Sequence, residues 1–330
     1  VWFDHIDARK AAAAVSSLMS AQQRDFGDRG MTDRRMGKAT AVGAAAIAFW
    51  SGLALLAVGA KGIPPFELLA LSFGVAFLAG LVVLAIRGRS ALALLRQPVE
   101  AWITAFLAIF FYHALYFFAL ATIPPVQASL INYLWPLLIV LLAALAPGGE
   151  RLHMRHVVGA ILGLGGATLI LADQTTEPQL VGGIAGYLAA AGCAVIWSVY
   201  SVFNHRFAHV PSEMLIGVCG GVALAGGIVH AMFESTVWPT PQQSLSILLL
   251  GIGPTGLAFL AWDHATKHGN LPLLGALSYF APLLSTLLLI VAGYAPATLL
   301  VGLSALLIVG GALLASARRS TTVRPEATSN

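Results

Sequence analysis

Ala45-Ala46-Ile47-Ala48-Phe49-Trp50-Ser51 returns about 146 residues further on as Gly192-Cys193-Ala194-Val195-Ile196-Trp197-Ser198. Two further pairs keep the same order and nearly the same offset. Asn132-Tyr133-Leu134-Trp135-Pro136-Leu137-Leu138 matches Ser278-Tyr279-Phe280-Ala281-Pro282-Leu283-Leu284, and Gly165-Gly166-Ala167 matches Gly310-Gly311-Ala312. One such match between apolar segments arises easily by chance. Three in register point to an internal duplication.

What is duplicated follows from composition. The 330 residues are 58% hydrophobic and 10% charged, and the mean hydropathy is +0.84. A soluble domain carries about 25% charged residues to solvate its surface. Lipid is the solvent that suits so apolar a chain. The pI near 9.3 does not indicate a nucleic-acid partner, because the basic residues stand singly or in small groups between apolar runs. Cys193 and Cys219 lie inside apolar runs without ligand-like spacing, which gives no support to a disulfide framework or a metal site. No cofactor motif is present either.

About 20 apolar residues are needed to cross the hydrocarbon of a bilayer. That template predicts ten transmembrane helices near residues 39–60, 66–86, 101–122, 125–146, 156–172, 182–203, 213–233, 245–265, 271–292 and 297–316. The breaks between them are short and use turn chemistry, as in Gly62-Ile63-Pro64-Pro65, Pro124-Pro125, Pro147-Gly148-Gly149 and Trp238-Pro239-Thr240-Pro241. Residues 1–35 read as an N-terminal extension outside the fold, with Met31 as the expected natural start and no cleavable signal. Residues 36–175 and 180–317 form the two repeats, and 318–330 a basic tail.

With the N-terminus inside, the cytoplasmic segments hold Arg34, Arg35, Lys38, Arg87, Arg89, Arg96, Arg151, Arg155, Arg206, Lys267, Arg318, Arg319 and Arg324. The opposite face holds Lys61 beside Glu67, Asp173, Glu177 and Glu234. This asymmetry fits ten spans with both termini cytoplasmic. Five spans per repeat is an odd number, so the second copy enters the membrane from the opposite side. The expected fold is therefore an all-α integral membrane protein of two inverted five-helix repeats. Such a pair suits alternating access to a central site; a duplicated bundle without transport is the plainer alternative.

A Trp-Ser pair in the first helix of each repeat and a Tyr-x-x-Pro-Leu-Leu element in the fourth resemble the drug/metabolite transporter superfamily, EamA type, over about residues 36–317. Glu150-Arg151 resembles that family's acidic loop element; Gly293-Tyr294 stands at the matching place in the second half. Tyr112-His113-x-x-Tyr116 with Asn132-Tyr133-Leu134-Trp135-Pro136 is similar to the YddG-type aromatic amino acid exporters within it. The resemblance implies a secondary transporter of the bacterial inner membrane, not an enzyme, exporting amino acids with aromatic and hydrophobic ones favoured.

Polar groups in lipid-spanning helices usually face a bundle interior or an aqueous cavity. In the third span Ile109, His113, Tyr116 and Leu120 share one helical face, with Tyr112 adjoining. In the sixth, Trp197, Tyr200, Ser201 and Asn204 follow i, i+3, i+4, i+7. The first span adds Trp50, the fourth Asn132, Tyr133 and Trp135 before Pro136, and the ninth Ser278 and Tyr279 before Pro282. Together these residues are the expected substrate contacts. Pro136 and Pro282 are expected hinges, since proline frees a backbone carbonyl and bends a helix. Such a cavity is neutral and ring-lined; it can stack planar groups and hold an ammonium over a ring face.

Each residue type also has a plainer role. Tyr200 and Asn204 stand near a cytoplasmic end, where interfacial anchors are common. His113 is a proton carrier, a substrate ligand or a structural hydrogen-bonder. Asp263 and Lys267, spaced i, i+4, are expected to form a structural or gating ion pair. Gly251-Ile252-Gly253-Pro254-Thr255-Gly256 has the spacing of a nucleotide loop, but inside an apolar span it reads as close packing and a bend. Gly159/Gly163, Gly182/Gly186 and Gly217/Gly221 read as helix contacts. The functional alternatives are another class of drug or metabolite, an intramembrane enzyme or a scaffold. Facilitated diffusion and proton antiport both fit, and oligomeric state is not legible.

Overall fold

The computed structural model describes residues 34–123, 128, 131–145, 153–173, 184–293 and 297–316. Every regular element among the described residues is helical. Helix α1 covers 34–51 and α2 Leu53–Gly59; α3 is Pro65–Ile86, α4 Val99–Thr122, α5 Trp135–Leu145, α6 Met154–Asp173 and α7 Ile184–Phe203. Then follow α8 Met214–Phe233, α9 Pro241–Ile252, α10 Ala258–His268, α11 Leu271–Leu277, α12 Phe280–Val291 and α13 Leu299–Ser316. Seven segments among the described residues are long and apolar enough to cross a membrane: Arg34–Gly59, Pro65–Ile86, Val99–Ala119, Ile184–Phe207, Met214–Phe233, Pro241–His268 and Leu271–Val291. Helices α5, α6 and α13 fall on the apolar runs at 125–146, 156–172 and 297–316. The extension up to Asp33, Pro124-Pro125, Pro147-Gly148-Gly149, Glu150-Arg151, Glu177, Gly182, Tyr294 and the tail from Arg318 lie outside the described residues.

Several apolar runs read as single spans are in fact broken. Between α9 and α10 the chain makes a π-helical turn over Gly253–Leu257, with Pro254 near its start. Proline cannot donate, so the carbonyl one turn earlier loses its usual partner. The Thr255 hydroxyl donates instead, to the Leu250 oxygen at 2.9 Å, with Gly251 and Ser72 oxygens at 3.2 and 3.3 Å. The glycine-rich stretch thus makes a bend, and Gly251 packs directly on Val75 and the Ser72 carbonyl. The matched motifs break alike, at Tyr133-Leu134 before α5 and at Ser278-Tyr279 before α12. Pro136 and Pro282 each sit in the first turn after the break, where a missing N–H is harmless.

Hydrogen bonds sort the loops into two ends. At one end, Glu234 at the close of α8 accepts from the first amides of α3, Phe66 N at 3.0 Å and Glu67 N at 3.1 Å. Glu67 in turn accepts from Val237 N at 3.0 Å, and His230 donates from Nδ1 to Glu234 at 2.9 Å. A carboxylate facing the positive end of a helix is stabilised there. Gln243, which completes a capping box with Thr240 at the start of α9, reaches the Lys61 carbonyl at 2.9 Å. At the other end, Arg89 pairs with Glu213 at 2.7 Å and Thr40 accepts from Asn270 N at 2.9 Å.

The helices pack chiefly as α6 along α13, α3 along α8, α4 along α7, and α11 across α5. Glycine permits the closest approaches. Gly163 lies against the Tyr279 ring, Gly217 against Trp102, and Gly275 against the Pro136 carbonyl. The outer faces present Leu78, Val82, Ile86, Leu306 and Leu313, while Ser, Asn, Asp and Lys lie within. That inversion of soluble-protein burial is what a lipid solvent demands.

A Cβ placed on Gly311 would stand 2.5 Å from the Gly159 carbonyl oxygen, whereas one on Gly310 meets nothing within 4 Å. Gly311→Leu should therefore destabilise the fold by about 1–3 kcal/mol, read as a lower melting temperature in detergent. Gly310→Leu should leave it nearly unchanged. Equal behaviour of the two variants would show that α6 and α13 do not meet as described.

Candidate functional site

Aromatic rings from six helices converge in one cluster. Trp50 of α1 lies edge-on to Trp135 of α5 at 6.5 Å, Trp197 of α7 at 5.7 Å and Phe259 of α10 at 5.8 Å, and tilts over Trp262 at 5.2 Å. Trp135 meets Trp262 at 5.6 Å, and Trp197 meets Tyr200 at 5.5 Å. From α4, Tyr112 tilts against Trp197 at 5.6 Å, stacks on Tyr116 at 6.1 Å and adjoins His113 at 5.2 Å. His113 also meets Phe73 of α3 at 5.2 Å. Edge-to-face pairs of this kind contribute roughly 0.5–1.5 kcal/mol each beyond area burial.

Helix breaks hold these rings. The Trp50 indole donates to the Pro254 carbonyl at 3.0 Å, which lies in the π-helical turn. The Trp262 indole, fully buried, donates to the Ser201 hydroxyl at 3.0 Å. The Ser198 hydroxyl shares its one proton between the Trp135 carbonyl at 2.9 Å and that of Ala194 in its own helix at 2.6 Å. Among the described residues the equivalent Ser51 bonds only within its helix, to Ile47 O at 2.8 Å. Asn132 donates from Nδ2 to the Tyr112 hydroxyl at 2.9 Å, and His113 donates from Nδ1 to Ile109 O at 2.7 Å.

Below the rings lies a buried polar layer. Lys267 Nζ stands 2.7 Å from Asp263 Oδ2 and donates to Val210 O at 3.1 Å, both side chains being 1% exposed. Asn204 donates from Nδ2 to Asp263 Oδ1 at 2.8 Å and to the Thr266 hydroxyl at 2.9 Å, with the Tyr200 hydroxyl 3.5 Å from Asp263. His205 Nδ1 donates to Lys267 O at 2.9 Å. Tyr200 and Asn204 are thus buried, not interfacial anchors.

Of the residues singled out in the sequence, Trp50, Tyr112, His113, Tyr116, Trp135, Trp197 and Tyr200 meet in the cluster, with Asn132 and Ser201 bonded to it. Tyr133 is half-buried in the turn before α5. Ser278 and Tyr279 are not brought there. Ser278 bonds back to Leu274 O at 2.7 Å, and the Tyr279 ring packs with Val140, Ala160, Leu283 and Ile308 against Gly163. The break beside Tyr279 turns its ring toward α6 and α13, a direction that sequence spacing does not encode.

Phe73, Phe259 and Trp262 belong to the cluster and were not foreseen. A signal for two of them exists. Phe259, Trp262, Asp263 and Thr266 have the same i, i+3, i+4, i+7 spacing as Trp197, Tyr200, Ser201 and Asn204, and the two stripes lie face to face. Among the described residues no group of three His, Cys, Asp or Glu side chains is placed to hold a metal ion.

A helical, lipid-adapted chain with two matched halves and a ring-lined polar centre is an integral membrane transporter in form. The EamA-like transporter family matches residues 37–172 and again residues 184–317, and the chain belongs to that family. It is a transporter, not an enzyme. The chain is 47% identical over 282 residues to an aromatic amino acid exporter, YddG, of Ancylobacter novellus, covering 84% of this chain and 96% of that protein. It is 28% identical over 199 residues to the aromatic amino acid exporter YddG of Escherichia coli, covering 57% and 66% of the two. A solved crystal structure at 46% identity superposes with a TM-score of 0.79 over 84% of this chain and 97% of that one.

The buried ion pair gives a direct test of the polar layer. Lys267→Met leaves the Asp263 carboxylate buried without its cation, which should cost about 3–5 kcal/mol. The double variant Asp263→Leu, Lys267→Met removes both charges and should recover most of the loss in melting temperature. A double variant no more stable than the single one would contradict the pairing.

Proposed function

We propose that this protein is a secondary transporter that exports amino acids, aromatic and hydrophobic ones favoured, across the bacterial inner membrane by alternating access. Substrate binds among the rings between the repeats 36–175 and 180–317. The observation that carries this reading is the composition of the cluster: Trp50, Tyr112 and Trp135 come from the first repeat, and Trp197, Phe259 and Trp262 from the second. A site built from both halves changes its exposure whenever one half rocks against the other. The names of the exporters matched at 47% and 28% identity support the substrate class.

The reading includes ten spans in two inverted repeats with both termini cytoplasmic. Packing supports the inversion. Matched helices pair with each other across the repeats, α3 with α8 and α6 with α13, as a two-fold axis in the membrane plane permits. Charge supports the orientation, since Arg87, Arg89, Arg206 and Lys267 gather at one end and Glu67 and Glu234 at the other. The two halves also differ in detail: Ser198 bonds across to α5 while its counterpart Ser51 does not. Unequal bonding of equivalent residues is what one end closed and the other open produces. The layer of Asp263, Lys267, Asn204 and Thr266 is then the closed cytoplasmic gate, and Pro136 and Pro282 are the hinges.

Purified protein in liposomes should carry labelled phenylalanine and tryptophan. Trp197→Ala and Asn132→Ala should each lower transport efficiency about tenfold, a loss near 1.4 kcal/mol, at unchanged expression. Absence of movement for every amino acid under either gradient direction would overturn the function; full activity in both variants would overturn the site.

A further inference from the structure

We propose that the ring cluster recognises its ligand by the ammonium group, so that arylalkylamines without a carboxylate, such as phenethylamine, are also ligands of this protein. The inference rests on the export reading above and names the chemistry of its site. Three features carry it. Asn132 is only 6% exposed, its Nδ2 is committed to the Tyr112 hydroxyl, and its Oδ1 is buried without a partner among the described residues. A buried carbonyl oxygen left unpaired is costly and calls for a donor.

His113 supplies the second feature. Its Nδ1 lies 2.7 Å from the Ile109 carbonyl oxygen, which can only accept, so the ring proton stands at Nδ1. In its neutral form the ring then offers Nε2 as an acceptor, one residue from Tyr112 and with the two rings in contact. The third feature is the rings themselves. Trp50, Trp197 and Tyr112 meet edge-on or tilted, and each ring carries a negative quadrupole on its face that attracts a cation. Two acceptors beside several electron-rich rings form a site for a positive charge.

A carboxylate finds no matching provision. Among the described residues no Arg or Lys contacts these rings, and Lys267 is committed to Asp263 and the Val210 carbonyl. An anionic group meets at most neutral indole and hydroxyl donors there. Deleting the carboxylate from an aromatic amino acid removes a buried charge that no cation offsets. Deleting the ammonium leaves two acceptors unpaired, and sites built around a hydrogen bond reject analogues that lack it.

Binding is readable from the fluorescence of the clustered tryptophans on purified full-length protein, excited where phenyl groups do not absorb. Phenethylamine should bind within about threefold of phenylalanine, and 3-phenylpropionate about tenfold or more weaker. Asn132→Leu should weaken phenethylamine about tenfold while leaving the neutral 2-phenylethanol within about twofold. Binding of 3-phenylpropionate equal to or tighter than phenethylamine, with phenylalanine still bound, would overturn ammonium recognition and leave the export reading intact. Unaltered phenethylamine affinity in Asn132→Leu would overturn the part assigned to Asn132. If phenylalanine itself neither binds nor is transported, the export reading fails and this inference fails with it.

Discussion

A backbone carbonyl cannot be left unpaired in hydrocarbon, and the organisation of this protein follows from where that rule is strained. Unbroken helices satisfy their own peptide groups; broken ones must borrow donors. At the π-helical turn of Gly253–Leu257 the loans are made by Thr255 to Leu250 and by the Trp50 indole to Pro254. Beside the break before α5, Ser198 donates across to Trp135. The Trp50 and Ser198 bonds each join the two repeats, while the Thr255 bond closes the bend within its own helix. The rings converge where the helices break because the breaks are what hold the rings.

The same logic governs the charges. Asp263 and Lys267 are almost wholly inaccessible, and such a pair persists only when its remaining bonding capacity is met. Asn204, Tyr200 and the Val210 carbonyl meet it. The layer is thereby tied to α7, to the loop before α8 and, through Trp262 and Ser201, to the ring cluster itself. A movement that disturbs the rings therefore disturbs the ion pair. In the proposed mechanism, this coupling links substrate binding to closure of the end that holds the ion pair.

Much of this was legible in the sequence. Helical spacing reveals which side chains share a face, so the α7 stripe and the Asp263–Lys267 pair were readable directly. The repeat was readable because Trp-Ser and the proline motifs are rare among apolar residues. Phe259 and Trp262 share that spacing with Asp263 and Thr266 in the eighth span, but the spacing alone does not say that this stripe faces the one on α7. Ser278 and Tyr279 were expected beside the rings because they match Asn132 and Tyr133. The fold departs from that symmetry: Gly163 leaves room for the Tyr279 ring on the opposite side. Phe73 carried no signal, since one phenylalanine in an apolar span has no preferred neighbour.

Alternating exposure of a site shared by two halves is the central claim, and distances across the two ends test it most directly. Cys193 and Cys219 are buried, so spin labels can be directed to Lys38 and His209 at one end and to Lys61 and Trp238 at the other, all exposed. Pulsed electron resonance in lipid nanodiscs, with and without saturating tryptophan, should show two populations at each end. One pair should lengthen as the other shortens. A single ligand-independent distance at both ends would contradict the account.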